Sequence, residues 1–148
     1  MYESTAGANW LTNGNWMSGT SPCPSGNWHG VTCSDGNVTQ LDLSGNNLKG
    51  SLPSELGELT GMASDFLISS NSLSSAIPSE LGQLTGMSSI FALSASSFSG
   101  NIPSELGQLT GMASNFRLDS NSFSGTIPSE LGQLTGMGSF FQIYSTKP

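Results

Sequence analysis

The apolar residues of this chain recur with a long period. Pro-Ser-Glu-Leu-Gly begins at Pro53, Pro78, Pro103 and Pro128, and Leu-Thr-Gly-Met follows in step from Leu59, Leu84, Leu109 and Leu134, always 25 residues apart. A period of that size marks a solenoid, in which each repeat is one supersecondary unit stacked on the next. Column by column, aliphatic or aromatic side chains fall at matching places. The columns are Val38/Met62/Met87/Met112/Met137, Leu41/Phe66/Phe91/Phe116/Phe141, Leu43/Ile68/Leu93/Leu118/Ile143, Leu48/Leu73/Phe98/Phe123, Leu52/Ile77/Ile102/Ile127, Leu56/Leu81/Leu106/Leu131 and Leu59/Leu84/Leu109/Leu134. No single unit can bury seven such positions, but stacked units make them one continuous core.

An apolar pair at spacing two, as in Phe66 and Ile68 or Phe116 and Leu118, has the alternation of a short strand with one buried face. Each coil therefore contributes one strand. The Gly and Pro that follow, as in Gly50-Ser-Leu-Pro53 and Gly125-Thr-Ile-Pro128, bar a long helix from the return path, because proline fixes its own φ and lacks an N–H.

The first unit, Val38-Thr-Gln-Leu-Asp-Leu-Ser-Gly-Asn-Asn-Leu-Lys-Gly-Ser-Leu-Pro-Ser-Glu-Leu-Gly-Glu-Leu-Thr, closely resembles the plant-type leucine-rich repeat, LxxLxLxxNxLxGxIPxxLGxL. That repeat occurs in receptor-like kinase ectodomains, polygalacturonase-inhibiting proteins and algal extracellular proteins. The resemblance implies an α/β-type leucine-rich-repeat solenoid, β-rich and helix-poor, coiling to the right with a parallel sheet on its concave face. It divides the chain into a cap at 1–37, four complete repeats at 38–136 and a partial, uncapped fifth repeat at 137–148. It also implies an extracellular or cell-surface protein without enzymatic activity.

The pattern is not followed everywhere. The first unit has 24 residues and the next three have 25, the extra one preceding the Phe column, so a small bulge is expected before each strand. The repeat's asparagine, which satisfies turn backbone groups between coils, stands at Asn46, Asn71 and Asn121 but is Ser96 in the third copy and Thr146 in the fifth. Hydroxyls make some of the same hydrogen bonds, so the ladder should weaken there rather than break.

Residues 9–36, with Trp10, Trp16, Cys23, Trp28-His-Gly-Val-Thr and Cys33, resemble the cysteine-bearing N-terminal cap of the same proteins. The resemblance implies a Cys23–Cys33 disulfide tying the cap to a tight turn at Asp35-Gly36. Two free cytosolic thiols are the alternative. A zinc site lacks ligands, because the chain has one histidine and no further cysteine. The three tryptophans read as a seal on the first coil in preference to a sugar-stacking platform, His29 as a packing residue of the cap, and Tyr2 to Asn9 as the tail of a cap helix. Asn37-Val-Thr39 is the one N-glycosylation sequon.

Composition and charge remove several functions. Lys49, Arg117 and Lys147 are the only bases against ten acids, too few to neutralise a phosphate backbone, so nucleic acid is not an expected partner. No apolar run is long enough to cross a bilayer, so this segment is not expected to insert. Serine is abundant but no nucleophile stands near a plausible base, and no phosphate loop is present; no cofactor or catalytic residue is assigned. The acidic column Glu55/Glu80/Glu105/Glu130 reads as turn structure and solubility, since each Glu follows Pro-Ser at a turn start, where a negative charge is mildly favoured.

Variation singles out one face. Outside three columns the last complete units are nearly identical; the three columns are Gln40/Asp65/Ile90/Asn115/Phe140, Asp42/Leu67/Ala92/Arg117/Gln142 and Ser44/Ser69/Ser94/Asp119/Tyr144. They flank the buried strand positions, on the face the family uses for ligands. From them Asp42, Asp65, Leu67, Ile90, Asn115, Arg117, Asp119, Gln142 and Tyr144 are the candidate contacts for a protein, peptide or glycan. A second expectation is a fibre or surface coat in which copies of the chain stack end to end through Phe140, Phe141 and Ile143.

Overall fold

The computed structural model describes residues 1–17, 21–23 and 27–143. Its strands are β1 (Val31–Ser34), β2 (Asn37–Asp42), β3 (Lys49–Gly50), β4 (Phe66–Leu67), β5 (Ser72–Leu73), β6 (Phe91–Ala92), β7 (Ser99–Gly100), β8 (Phe116–Arg117), β9 (Ser122–Phe123) and β10 (Phe141–Gln142). One sheet runs β1-β2-β4-β6-β8-β10. Its last five strands are the apolar-pair segments of successive units, paired in parallel with Leu41, Phe66, Phe91, Phe116 and Phe141 in register. The alternation read from sequence decides which side chains enter: Phe66 and Ile68 are fully buried while Leu67 between them is not.

Each return path contains one short 3-10 helix: Ser54–Glu58, Ser79–Gln83, Ser104–Gln108 and Ser129–Gln133. The preceding proline stays extended in every copy, with φ between −77° and −59°, so the helix starts only once the fixed φ has turned the chain. Leu56, Leu81, Leu106 and Leu131 then point into the core. The chain is helix-poor and strand-rich, as the pattern indicates. No helix among the described residues is long and apolar enough to cross a membrane.

Stacking produces ladders. Phe66, Phe91, Phe116 and Phe141 lie ring on ring, 5.3–5.4 Å between centroids and tilted by 12–16°. Coils approach so closely that a methyl group on Gly57, Gly82 or Gly107 would collide with the carbonyl of Glu80, Glu105 or Glu130 in the next coil. The Gly of Pro-Ser-Glu-Leu-Gly is thus a spacing device, and the Glu that follows Pro-Ser supplies the backbone it packs against.

The 24-residue unit leaves a local mark. Ala63 N and Ser64 N both donate to Thr39 O at 3.2 Å, two residues against one, whereas Ser88 N bonds Ala63 O and Ala113 N bonds Ser88 O singly. A bulge before every strand is therefore not what forms. Units of equal length match one to one, and the mismatch is confined to the junction of the 24- and 25-residue units.

The asparagine ladder also differs from expectation. Asn71 donates to Leu43 O and Ile68 O and accepts from Asn46 N and Leu48 N; Asn121 donates to Leu93 O and Leu118 O and accepts from Phe98 N. Ser96 Oγ is buried and has no hydrogen-bond partner. The ladder is broken there, not weakened, because a hydroxyl on Cβ is too short to reach the backbone groups that an amide bridges. Ser96→Asn is expected to raise unfolding free energy by about 1–2 kcal/mol, read as a higher denaturation midpoint at constant m-value; an unchanged or lower midpoint would refute this account of the gap.

At the first coil, β1 and β2 form a hairpin whose two-residue loop, Asp35-Gly36, has φ values of 50° and 79°, as a type I′ turn requires. The antiparallel strand β1 is an addition to the sequence reading, which placed only the turn. Cys23 and Cys33 are disulfide-bonded with Cα atoms 6.0 Å apart. Tyr2, Trp10, Trp16 and Trp28 form a chain of ring contacts 4.9–5.2 Å long. Trp10 and Trp16 are buried and bond through Nε1 to Thr5 O and His29 O, so these two rings seal the core. His29 corrects the sequence reading: its side chain is exposed and its backbone does the work. Tyr2 to Asn9 is not the tail of an α-helix but two 3-10 turns, Glu3–Thr5 and Gly7–Asn9. Burial fades in the last coils, where Ile127 is 59% and Phe141 41% exposed.

Candidate functional site

Strand register assembles the variable columns. Because Leu41, Phe66, Phe91, Phe116 and Phe141 are mutually in register, the next residues, Asp42, Leu67, Ala92, Arg117 and Gln142, form a straight row across five strands. The preceding column flanks it, held by Leu41 N to Asp65 O, Phe66 N to Ile90 O, Phe91 N to Asn115 O and Phe116 N to Phe140 O. Between them lies a groove of about 530 Å³ lined by Ser44, Leu67, Ser69, Ile90, Ala92, Asn115, Arg117, Phe140 and Gln142.

Five of the nine sequence-derived contacts, Leu67, Ile90, Asn115, Arg117 and Gln142, line this groove. Asp42 and Asp65 stand in the same rows and Asp119 beside Arg117, outside the groove lining. Tyr144 lies outside the described residues. Ser44, Ser69 and Ala92, of the same variable columns, line the groove as well; their small side chains make the hollow between larger ones. Column variability was the signal for them too.

Polar groups on this face are already organised. Gln40 Nε2 donates to Asp65 Oδ2 at 3.0 Å, the Ser69 and Ser94 hydroxyls are 3.0 Å apart, and Arg117 Nε lies 3.4 Å from Asp119 Oδ1. The Arg117 side chain remains 44% exposed and that of Asp119 17%, while the two facing atoms, Arg117 Nε and Asp119 Oδ1, are buried and make no hydrogen bond. The contact is a charge attraction without a directed bond, and most of the guanidinium stays accessible from the groove. Leu67, Ile90, Ala92 and Phe140 supply the apolar part. Phe140 is 66% exposed and has φ 43°, a left-handed backbone that costs a non-glycine residue about 1–2 kcal/mol. No group of three or more potential metal ligands occurs among the described residues.

Phe140, Phe141 and Ile143 have different neighbours. Phe140 belongs to the groove, Phe141 stacks on Phe116, and Ile143 borders a separate hollow of about 110 Å³ with Ile102, Phe123 and Ile127.

The family model "Leucine Rich Repeat" matches residues 37–59 and 114–134. A curated relative, Protein MALE DISCOVERER 2 of Arabidopsis thaliana, is 54% identical over 37 residues, which are 25% of this chain and 6% of that protein. Among solved structures, Pollen Receptor Kinase 3 is 31% identical with a TM-score of 0.71, over 96% of this chain and 67% of that one. The PEPR1–AtPEP1 structure is 26% identical with a TM-score of 0.78, over 98% of this chain and 22% of that one. A plant ice-binding protein, at 23% identity and TM-score 0.78, over 97% of this chain and 45% of that one, shares the fold. The chain thus spans a small part of the curated relative and about a fifth of the matched chain in the PEPR1–AtPEP1 structure.

Proposed function

The chain belongs to the plant-type leucine-rich-repeat family, and from that premise we propose that it is a non-enzymatic extracellular recognition module whose concave groove binds a peptide segment, free or part of a larger protein. The observation that carries this reading is the contrast between near-identical repeats and one variable row, Asp42-Leu67-Ala92-Arg117-Gln142, set in line by the strand register, with all of it but Asp42 lining the groove. The similar solved structures include the plant peptide hormone receptor RGFR1 in complex with RGF2, 31% identical, which supports a binding role of this kind.

Size and chemistry favour a peptide. Five strands about 4.8 Å apart make a strip of roughly 20–24 Å, the length of about seven extended residues. That is small for a folded partner, which needs about 800 Å² on each side. A glycan would want aromatic platforms, and Phe140 is the one aromatic ring among the described lining residues. Leu67, Ile90 and Phe140 offer apolar contact and Arg117 a cation, so the preferred peptide carries apolar side chains and one acidic group.

A heptapeptide selected on the full chain from a displayed random library is the probe. Its affinity, measured calorimetrically, should fall at least about tenfold, or 1.4 kcal/mol, in Leu67→Ser and in Arg117→Ala, and stay unchanged in Gln108→Ala on the outer surface. Equal affinity in all four proteins would place the binding surface elsewhere.

A further inference from the structure

We infer that Asn37 carries an N-linked glycan whose first sugar lies over a depression between the cap and the first coil. The inference rests on the extracellular reading above and concerns a different part of the molecule. Asn37 opens β2 directly after the Asp35-Gly36 turn and is exposed, and Thr39 completes the sequon two residues on. Sequons are glycosylated where they lie at the surface of secreted chains, and a hairpin end is such a place.

The amide has room to be substituted. Asn37 Nδ2 makes one long hydrogen bond, to Asp35 O at 3.3 Å. An amide nitrogen carries two hydrogens, so one remains for replacement while the other keeps that bond. In the transfer, Nδ2 loses a hydrogen and forms a bond to the anomeric carbon of N-acetylglucosamine. The lipid-linked diphosphate of the oligosaccharide donor leaves with the electron pair of the broken C–O bond, and the proton goes to solvent. The donor is the oligosaccharide diphosphate lipid of the secretory pathway.

The neighbourhood fits a sugar. Asn37 borders an open depression of about 250 Å³ whose lining includes Pro22, Cys23, Val38, Leu59 and Thr60. Pro22, Val38 and Leu59 are half-buried and offer apolar surface to the C–H face of a pyranose; the hydroxyl of Thr60, which is exposed, can meet its polar edge. Beside Asn37 the chain is Gly61, where a methyl group would come within 2.7 Å of Asn37 Cβ, so the absence of a side chain there clears the base of the branch. The depression shares no lining residue with the concave groove. A glycan here covers the disulfide side of the cap and leaves the groove open.

The test is translation of the full chain, behind a cleavable secretory leader, in the presence of microsomal vesicles. Chain protected from added protease should migrate heavier by one oligosaccharide and return to the lower mass on treatment with an N-glycan endoglycosidase. The shift should vanish in Asn37→Gln and Thr39→Ala and persist in Thr39→Ser. Protected wild-type chain without a shift would overturn the site. For the packing, reduction of Cys23–Cys33 by dithiothreitol should be several-fold slower in the glycosylated chain than in the enzymatically trimmed one; equal rates would overturn the placement over the depression. Peptide binding by the unglycosylated chain is scored separately: binding without a shift removes the glycan alone, and a shift without binding removes the groove reading alone.

Discussion

Replacing Phe91 with Ala should cost about 3–5 kcal/mol of folding free energy. Phe91 is fully buried and stacked on both sides, against Phe66 at 5.4 Å and Phe116 at 5.3 Å, so truncation removes two ring contacts and leaves a cavity in the middle of the stack. In a solenoid each unit is stabilised by its two neighbours, so a central lesion weakens two interfaces. Phe141, 41% exposed and stacked on one side only, is the comparison. Phe141→Ala should cost about 1–2 kcal/mol. Urea denaturation of both variants measures the difference; equal losses would mean that the ladder does not couple the coils.

Gly82→Ala should cost about 2–3 kcal/mol through overpacking, because the new Cβ would run into the Glu105 carbonyl of the next coil. Backbone cannot swing aside as a flexible side chain can. At Gly132, the same position in the fourth unit, an added methyl would meet nothing within 4 Å among the described residues, so Gly132→Ala should be neutral or stabilise by about 0.4–1 kcal/mol by restricting the unfolded chain. The two substitutions are chemically identical, and only the first is predicted to destabilise. A shared destabilisation in thermal denaturation would show that the glycine is kept for its backbone conformation and not for coil spacing.

These positions show what the sequence carried. The 25-residue period located each strand of the parallel sheet, because a buried pair such as Phe66 and Ile68 has one reading when it recurs on identical turns. The type I′ loop at Asp35-Gly36 was likewise legible from residue type. Junctions were not. Whether an extra residue before Phe66 bulges depends on the length of the coil beneath it, so the two-on-one bonding at Thr39 arises once, where unequal units meet. The broken ladder at Ser96 depends on the reach of a side chain, and the exposure of His29 on how the cap folds back. Both are tertiary facts.

The groove was legible as a difference between copies, since duplicated units that agree in their core and vary along one row point at that row. What variation did not reveal was depth. Ser44, Ser69 and Ala92 form the hollow because they are small, whereas Asp42, Asp65 and Asp119 surround it, occupied in part with Gln40 and Arg117. Charge draws attention in a sequence, while the space a ligand fills is made by residues with little to show.

The most direct test of the binding account is amide chemical-shift mapping of the full chain with the library-selected heptapeptide. The account predicts the largest perturbations at Leu67, Ile90, Ala92, Arg117 and Gln142, continuous across the strands, with Thr85 and Gln108 on the outer surface unmoved. Perturbations centred on the 3-10 helices of the return paths, with the groove row silent, would contradict it.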